Sequence, residues 1–325
     1  MRALQLEGLG KLSLRDLPDP VPGPDQVLVR VEAAGICGTD RHLFLGEFPS
    51  NPPVTLGHEF SGIVVAGALS PGTRIACDPN VPCLTCPQCR AGRVNLCPNN
   101  APIGVGRDGG MADLALVPLA QAHVLPADLD PLHGALVEPL ACTLHGLDLG
   151  APRAGERVTV LGGGVIGQMA VQLAAQAGAE VMMLTRSGAK RDLALSLGAD
   201  CAAATVEEAR NLWPEGAHLV VECAGVAQTV EAAPSLARAG GRIVVLGVLP
   251  RGQKVLIEPF DLLFREIALL HSFLNPFTHA RAAAMIAKGS IKVAPLISRV
   301  IGLDEAAEVI ARPPLPGDVK VLIRP

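Results

Sequence analysis

The chain has 325 residues, 27 Lys plus Arg against 31 Asp plus Glu, and a net charge of −4. That length allows two domains with separate cores. The charge balance gives no field for nucleic acid or an anionic membrane, and with 2% aromatics there is little to stack on bases. The opening "MRALQLEGLGKLSL" lacks a basic start followed by an apolar run, and no stretch reaches the roughly 20 apolar residues of a spanning helix, so a cytoplasmic protein is expected. In that compartment thiols stay reduced. Nine cysteines then point to metal or catalysis before disulfides.

In chain order, the first half shows short β-like runs between Gly and Pro: "RALQLE", "KLSLRD", "QVLVRVEAAG", "SGIVVAG" and "TRIACD". They predict a barrel-like or sandwich-like β unit with long functional loops. The texture changes near Gly150. Strands "RVTVLG", "EVMMLTR", "ADCAAA", "HLVVECAG" and "GRIVVLGV" alternate with helical patterns at 165–177, 190–197, 206–212 and 227–237. This rhythm predicts a doubly wound parallel sheet. A sixth strand is expected at "IALLHSF", then helices near 278–288 and 303–310 and a last strand "KVLIR".

"CLTCPQC" opens a loop that holds Cys83, Cys86, Cys89 and Cys97. Four thiolates suit a tetrahedral Zn²⁺ with no position left for water, which makes such a site structural. Pro82, Pro87, Gly92 and Pro98 bracket the ligands with turn formers. An iron–sulfur cluster and a thioredoxin-like redox pair are the competing readings.

Gly162-x-Gly164-x-x-Gly167 stands between a predicted strand and helix. In that frame Gly162 permits the turn, Gly164 admits a pyrophosphate, Gly167 allows close packing, and the free amides at Val165, Ile166 and Gly167 hold phosphate. The second strand ends Thr185-Arg186-Ser187, with Lys190 and Arg191 beyond. No acid stands there to bind the ribose hydroxyls of NAD, and the cations suit a 2′-phosphate. NADP(H) is expected over NAD(H), the alternative being that Arg186 is a solvated charge and NAD is tolerated. Cys223 and Ala224, after the fourth strand, are expected beside the cofactor.

A second constellation lies in "GICGTDRHLF", "TLGHEFSG" and "ALVEPLACTLHG". Cys37, His58, Glu59 and Glu138 together supply the ligand types of a catalytic zinc with one open position. Each residue alone has a plainer reading, as a packed thiol, a hydrogen-bonded ring or a turn charge. Cys77, Cys142, Cys201 and Cys223 fall in apolar runs and read as packing residues.

The order "CGTDRH", "GHEFSG", the four-cysteine lobe, "VEPLA" and "LGGGVIG" resembles the zinc-containing medium-chain alcohol and polyol dehydrogenases over essentially the whole chain. The sorbitol, threonine and butanediol dehydrogenase branch is the most similar. The resemblance implies an α/β plus β fold: a GroES-like β-barrel catalytic domain (1–145, with the zinc lobe at 83–97), a Rossmann cofactor domain (146–273) and a return segment (274–325). It implies Cys37 and His58 as fixed zinc ligands, and Glu138 as the third, direct or through water. Glu59 matches the family's mobile glutamate. Thr39 matches the hydroxyl that bonds the substrate oxygen, His42 a proton relay, and Asp40 the carboxylate that orients His58. The implied reaction is reversible hydride transfer between an alcohol and the nicotinamide, in a homodimer or homotetramer. "HSFLNPF" lacks the arginine–aromatic pair expected beside sorbitol, so secondary alcohols, diols and other polyols stand as substrates. Leu45, Phe48, Phe273 and Leu274 are candidate apolar liners. A non-catalytic NADP(H)-binding redox sensor is the reading from another class.

Overall fold

A computed structural model describes residues 1–325. The chain forms two compact units: Met1–Ala141 with Pro276–Leu315 and Lys320–Pro325, and Cys142–Asn275 with Pro316–Val319. No helix is long and apolar enough to cross a membrane.

The first unit carries strands β1 (Arg2–Gly8), β2 (Lys11–Asp16), β3 (Gln26–Gly35), β4 (Val54–Thr55), β5 (Glu59–Gly67), β6 (Arg74–Cys77), β7 (Leu114–Pro118) and β8 (Ala122–Val124). The alternation of "QVLVRVEAAG" turns Val27, Val29 and Val31 inward and leaves Arg30 exposed. Those side chains join Phe60, Val64 and Ile75 in an aliphatic core with one large aromatic.

In the second unit β9 (Arg157–Leu161), β10 (Glu180–Leu184), β11 (Cys201–Ala203), β12 (Ala217–Glu222), β13 (Ala237–Val245) and β14 (Ala268–His271) form one parallel sheet, in the order β11-β10-β9-β12-β13-β14. Strands β9 and β10 are buried along almost their whole length, as a sheet covered on both faces requires. Between β11 and β12 the chain crosses back, so the carboxyl ends of β9 and β12 flank a switch point, where open α/β sheets bind ligands. This is a Rossmann sheet.

The chain end then returns to the first unit as β15 (Ile297–Gly302) and β16 (Lys320–Arg324). The larger sheet there has the order β15-β16-β3-β5-β6-β8, with β7 also on β3; β1, β2 and β4 form a smaller sheet. Strand β16 pairs antiparallel with β3 through Leu322 and Gly35. This is the GroES-like fold, completed by a strand from the far end of the sequence. Four strands, β4, β7, β8 and β15, were not expected from the sequence, and some element limits shift. β13 starts earlier, at Ala237 in "ARAGG": Ala237 pairs with Ala217, and the ladder resumes at Arg242 after an irregularity that holds Gly240 and Gly241.

Candidate active site and metal clusters

Two groups of ligand atoms, each within 4.8 Å, lie in the first unit: Cys83, Cys86, Cys89 and Cys97, and Cys37, His58 and Glu59.

The cysteine lobe is built from turns. Leu84 and Gly92 take left-handed conformations, and Pro87 opens a single helical turn, Pro87–Arg90, capped by Cys86. Backbone amides point at sulfur: Cys83 N donates to Cys97 Sγ at 3.3 Å, Cys86 N to Cys83 Sγ at 3.4 Å and Cys89 N to Cys86 Sγ at 3.4 Å. All four cysteines are free thiols, with sulfurs 3.5 Å (Cys97–Cys83) and 4.0 Å (Cys86–Cys97) apart. A tetrahedral zinc–thiolate cage needs edges of roughly 3.8 Å, so the arrangement fits. The electrostatics agree. Hydrogen bonds from Thr85 and the Cys86 amide lower Cys83 to about 5, while desolvation and the sulfurs of Cys86 and Cys97 push Cys89 up to about 12. Four sulfurs this close cannot all carry charge unless a cation shares them. Asp78 ties the lobe to the barrel: its Oδ1 accepts from Asn80 N at 3.0 Å and Asn80 Nδ2 at 3.2 Å, and Asn100 Nδ2 donates to Asn80 Oδ1 at 3.2 Å.

The second group gathers residues from separate elements. Cys37 caps the helix Gly38–Leu45 that follows β3, and its amide donates to Asp40 Oδ2 at 2.8 Å. That reciprocal cap fixes Asp40, fully buried, so that its Oδ1 faces His58 Nδ1 at 3.5 Å. His58 and Glu59 enter at the start of β5, exposed by only 6% and 1%. Burial opposes a charge on His58, yet Asp40 and Cys37 raise its pKa well above the usual value. The pocket therefore attracts positive charge, and a metal cation competes for the same ring as a proton does. Thr39 Oγ1 stands 3.7 Å from Cys37 Sγ. His42, one turn on, holds Glu47 Oε2 at 2.6 Å through Nδ1.

Glu138, buried near the start of the helix Val137–Gly150, is not among the three closest ligand residues; Glu59 is. The sequence reading missed Lys320, the first residue of β16. It is 3% exposed, donates to Ile36 O at 3.0 Å and forms an ion pair with Glu59. Burial works against its charge, but Glu59, Cys37 and Glu138 raise its pKa above the usual lysine value. The one available signal was a lysine standing before the apolar run Val321–Ile323 of that strand. A further group, His279 with Asp78 (3.5 Å) and a stacked His123 (5.2 Å between rings), also escaped the sequence reading. Its nearly parallel rings keep their lone pairs in parallel planes, which disfavours a chelate. Of the candidate apolar liners, Leu45 is 56% and Phe273 49% exposed, whereas Phe48 packs on the barrel core.

In the second unit Gly162 has φ 103°, and a Cβ there would lie 2.8 Å from Ala224 N. A Cβ on Gly167 would lie 1.8 Å from Gly162 O, so only glycine lets this helix meet β9. Gly164 faces open space and starts the helix Val165–Gln176 with no side-chain cap, leaving the amides of the first turn for an anion. Cys223 and Ala224 follow β12; burial pushes the Cys223 thiol well up, and Ala224 N donates to Glu222 Oε1 at 2.7 Å. Past β10, Arg186 is exposed, and Ser187 caps the helix Gly188–Ser196 without using its hydroxyl. Arg191 Nη1 donates to the carbonyls of Thr185 (2.8 Å) and Arg186 (2.9 Å), which holds the turn in shape. Lys190 is half-buried, and burial lowers its pKa despite Asp318.

Two family models match: "Alcohol dehydrogenase GroES-like domain" over residues 23–127 and "Zinc-binding dehydrogenase" over 165–288. Sorbitol dehydrogenase of Gallus gallus is 32% identical over 99% of this chain and 96% of its own length. A zinc-binding dehydrogenase from Sinorhizobium meliloti 1021, in a structure bound to NADP, is 54% identical with TM-score 0.97, covering 100% of this chain and 99% of that one. The rspB dehydrogenase of E. coli CFT073, complexed with NADH, is 26% identical with TM-score 0.90, covering 100% and 99%. The sheet order, the two ligand clusters and this full-length similarity have one common explanation: the chain belongs to the zinc-binding medium-chain dehydrogenases.

Proposed function

We propose that the protein reversibly transfers hydride between an alcohol, of the secondary alcohol, diol or polyol class, and NADP(H), giving a ketone or aldehyde. The observation that carries this reading is the convergence of Cys37, His58 and Glu59 in a buried pocket separate from the saturated cysteine cage. Cys37 and His58 are the fixed ligands, Glu59 and Glu138 the carboxylates that complete the set, and the four lobe cysteines hold a structural ion. Zinc bound at Cys37 and His58 supplies Lewis acidity that makes an alcohol proton easy to remove near neutral pH.

The remaining work falls to the chain. Thr39, beside Cys37, accepts the substrate hydroxyl proton. His42, poised by Glu47, passes it outward; in the reverse direction the same groups return it. Asp40 keeps the His58 ring turned to its task. Gly162, Gly164, Val165, Ile166 and Gly167 cradle the pyrophosphate, with Cys223 and Ala224 beside them. Arg186 and Ser187, with Thr185 and Lys190 nearby, take the 2′-phosphate, while Arg191 shapes their turn. The NADP held by the 54% identical relative supports this choice. An NAD-linked polyol dehydrogenase is the second reading, favoured by the NADH in the 26% identical relative. Self-association as a homodimer or homotetramer is supported by the open edge of β14 and by Phe260, Leu263 and Phe264, which are 62%, 72% and 71% exposed in the same unit.

The test is kcat/KM with NADPH and NADH against a panel of polyols, diols and simple alcohols. NADPH should be preferred, and Arg186→Ala should erode that preference roughly 10- to 100-fold, the value of a charge-assisted phosphate contact. A preference for NADH overturns the cofactor reading. Absence of turnover across the panel, with NADPH still bound, favours a sensor instead.

A further inference from the structure

The pyrophosphate loop and the turn proposed for the 2′-phosphate meet at Gly163. A Cβ there would lie 2.9 Å from Lys190 Cβ and 3.0 Å from Thr185 Cγ2, so only glycine lets the two segments come this close. Behind that contact stands Gln168, which takes no part in the phosphate cradle. It is the fourth residue of the helix Val165–Gln176, and its own amide already donates to Gly164 O at 2.9 Å. Side chains on a helix lean toward its N-terminus, and that of Gln168 reaches back to the loop.

Gln168 is 0% exposed. Its Nε2 donates to Lys190 O at 2.8 Å and to Gly163 O at 3.4 Å. Both neighbours are carbonyl oxygens, so the amide must turn its nitrogen to them. Its Oε1 is then buried with no hydrogen-bond partner. An apolar side chain of the same length would avoid that cost. What the amide adds is its donors, and the shorter bond, to Lys190, is the stronger of the two.

The segment 185–190 is tied at both ends. Gly162 N donates to Leu184 O at 3.0 Å, which fixes the loop to the strand end before the turn. Arg191 Nη1, bonded to Thr185 O and Arg186 O, sets the shape of the turn from within. Lys190 O lies in the first turn of the helix Gly188–Ser196, and Gln168 ties that far end to the pyrophosphate loop. Arg186 and Ser187 stand between these ties.

We propose that Gln168 is a positioning residue for cofactor choice: it fixes the 185–190 turn at the distance from the pyrophosphate loop that lets a dinucleotide's 2′-phosphate reach Arg186 and Ser187. This rests on reading that turn as the 2′-phosphate site. Fully buried, Gln168 acts through the backbone of the turn. A dinucleotide without the 2′-phosphate still uses the loop and does not need the turn, so it is insensitive to the change.

The experiment measures dissociation constants of NADPH and NADH by nucleotide fluorescence, since the two ligands differ only in the 2′-phosphate. Gln168→Met should weaken NADPH roughly tenfold and NADH by less than about twofold, the value of one buried hydrogen bond being spent on the phosphate alone. On an Arg186→Ala background the same substitution should change NADPH affinity by less than about twofold, because the contact it positions is gone. Equal weakening of both cofactors, unchanged NADPH affinity, or the full loss on the Arg186→Ala background overturns the proposal. If Gln168→Met does not fold, Gln168→Asn serves, since it keeps the amide one methylene short of Lys190 O. Wild-type discrimination in that variant overturns the proposal. Failure of the underlying reading looks different: the wild-type protein itself would bind NADPH no more tightly than NADH, and the proposal would fall with it.

Discussion

The cysteine cage and the Cys37–His58–Glu59 pocket lie in the same unit and are built on opposite plans. The cage takes four identical soft ligands from fifteen consecutive residues, 83–97, and sets them in turns. Its side chains are mostly half-exposed and its amides point at sulfur. The pocket draws different ligand types from the end of β3 and the start of β5, and a buried cation from β16. A local, uniform, filled cage suits a structural ion, whose binding energy is folding energy. A dispersed set with mixed donors suits an ion that keeps a position open for substrate.

The largest effect that tests this contrast is on stability. Cys86→Ser should cost on the order of 5 kcal/mol by opening the cage. Metal analysis should fall from two zinc equivalents per chain to one, and the melting temperature should drop. Below that temperature kcat per native chain should stay close to wild type. A variant with unchanged melting and lost turnover reverses the division between the two clusters.

A smaller effect concerns acid. His279 is 1% exposed, faces Asp78 at 3.5 Å and stacks on His123. Burial first, then His123, lowers its pKa to about 3, against the Cys77 backbone, which raises it. The unfolded value is about 6.5, so between these limits the unfolded chain binds the extra proton. The contribution of His279 is complete above pH ~6.5 and is lost as pH falls toward 3, by at most ~1.4 kcal/mol per pH unit. Denaturant unfolding at pH 7 and pH 5 should therefore show a shallower loss for His279→Phe than for wild type. Equal slopes would mean that His279 does not stay neutral in the native state.

The same contrast explains what could be read from the sequence. Spacing within one loop is a one-dimensional property, so the cage was legible at Cys83, Cys86, Cys89 and Cys97, as was the Gly162–Gly167 turn between its strand and helix. Alternation and strand–helix rhythm foretold β1, β2, β3, β5, β6 and β16 of the first unit and the parallel sheet, because both depend on local periodicity, whereas β4, β7, β8 and β15 went unread. Pairing of β16 with β3 is not local, and so Lys320 was invisible beside Glu59 although "KVLIR" was recognised as a strand. Glu47 was missed for another reason, since its tie to His42 depends on the chain turning back at Gly46, φ 73°, after the helix Gly38–Leu45.

The most direct test of the central claim is a paired measurement on Cys37→Ala: zinc per chain and turnover, with NADPH binding followed by fluorescence. The account predicts that the cage zinc and NADPH binding survive while turnover falls by about 10³-fold or more, as befits loss of the metal that acts on the substrate. Turnover near the wild-type rate, with only the cage zinc present, would contradict it.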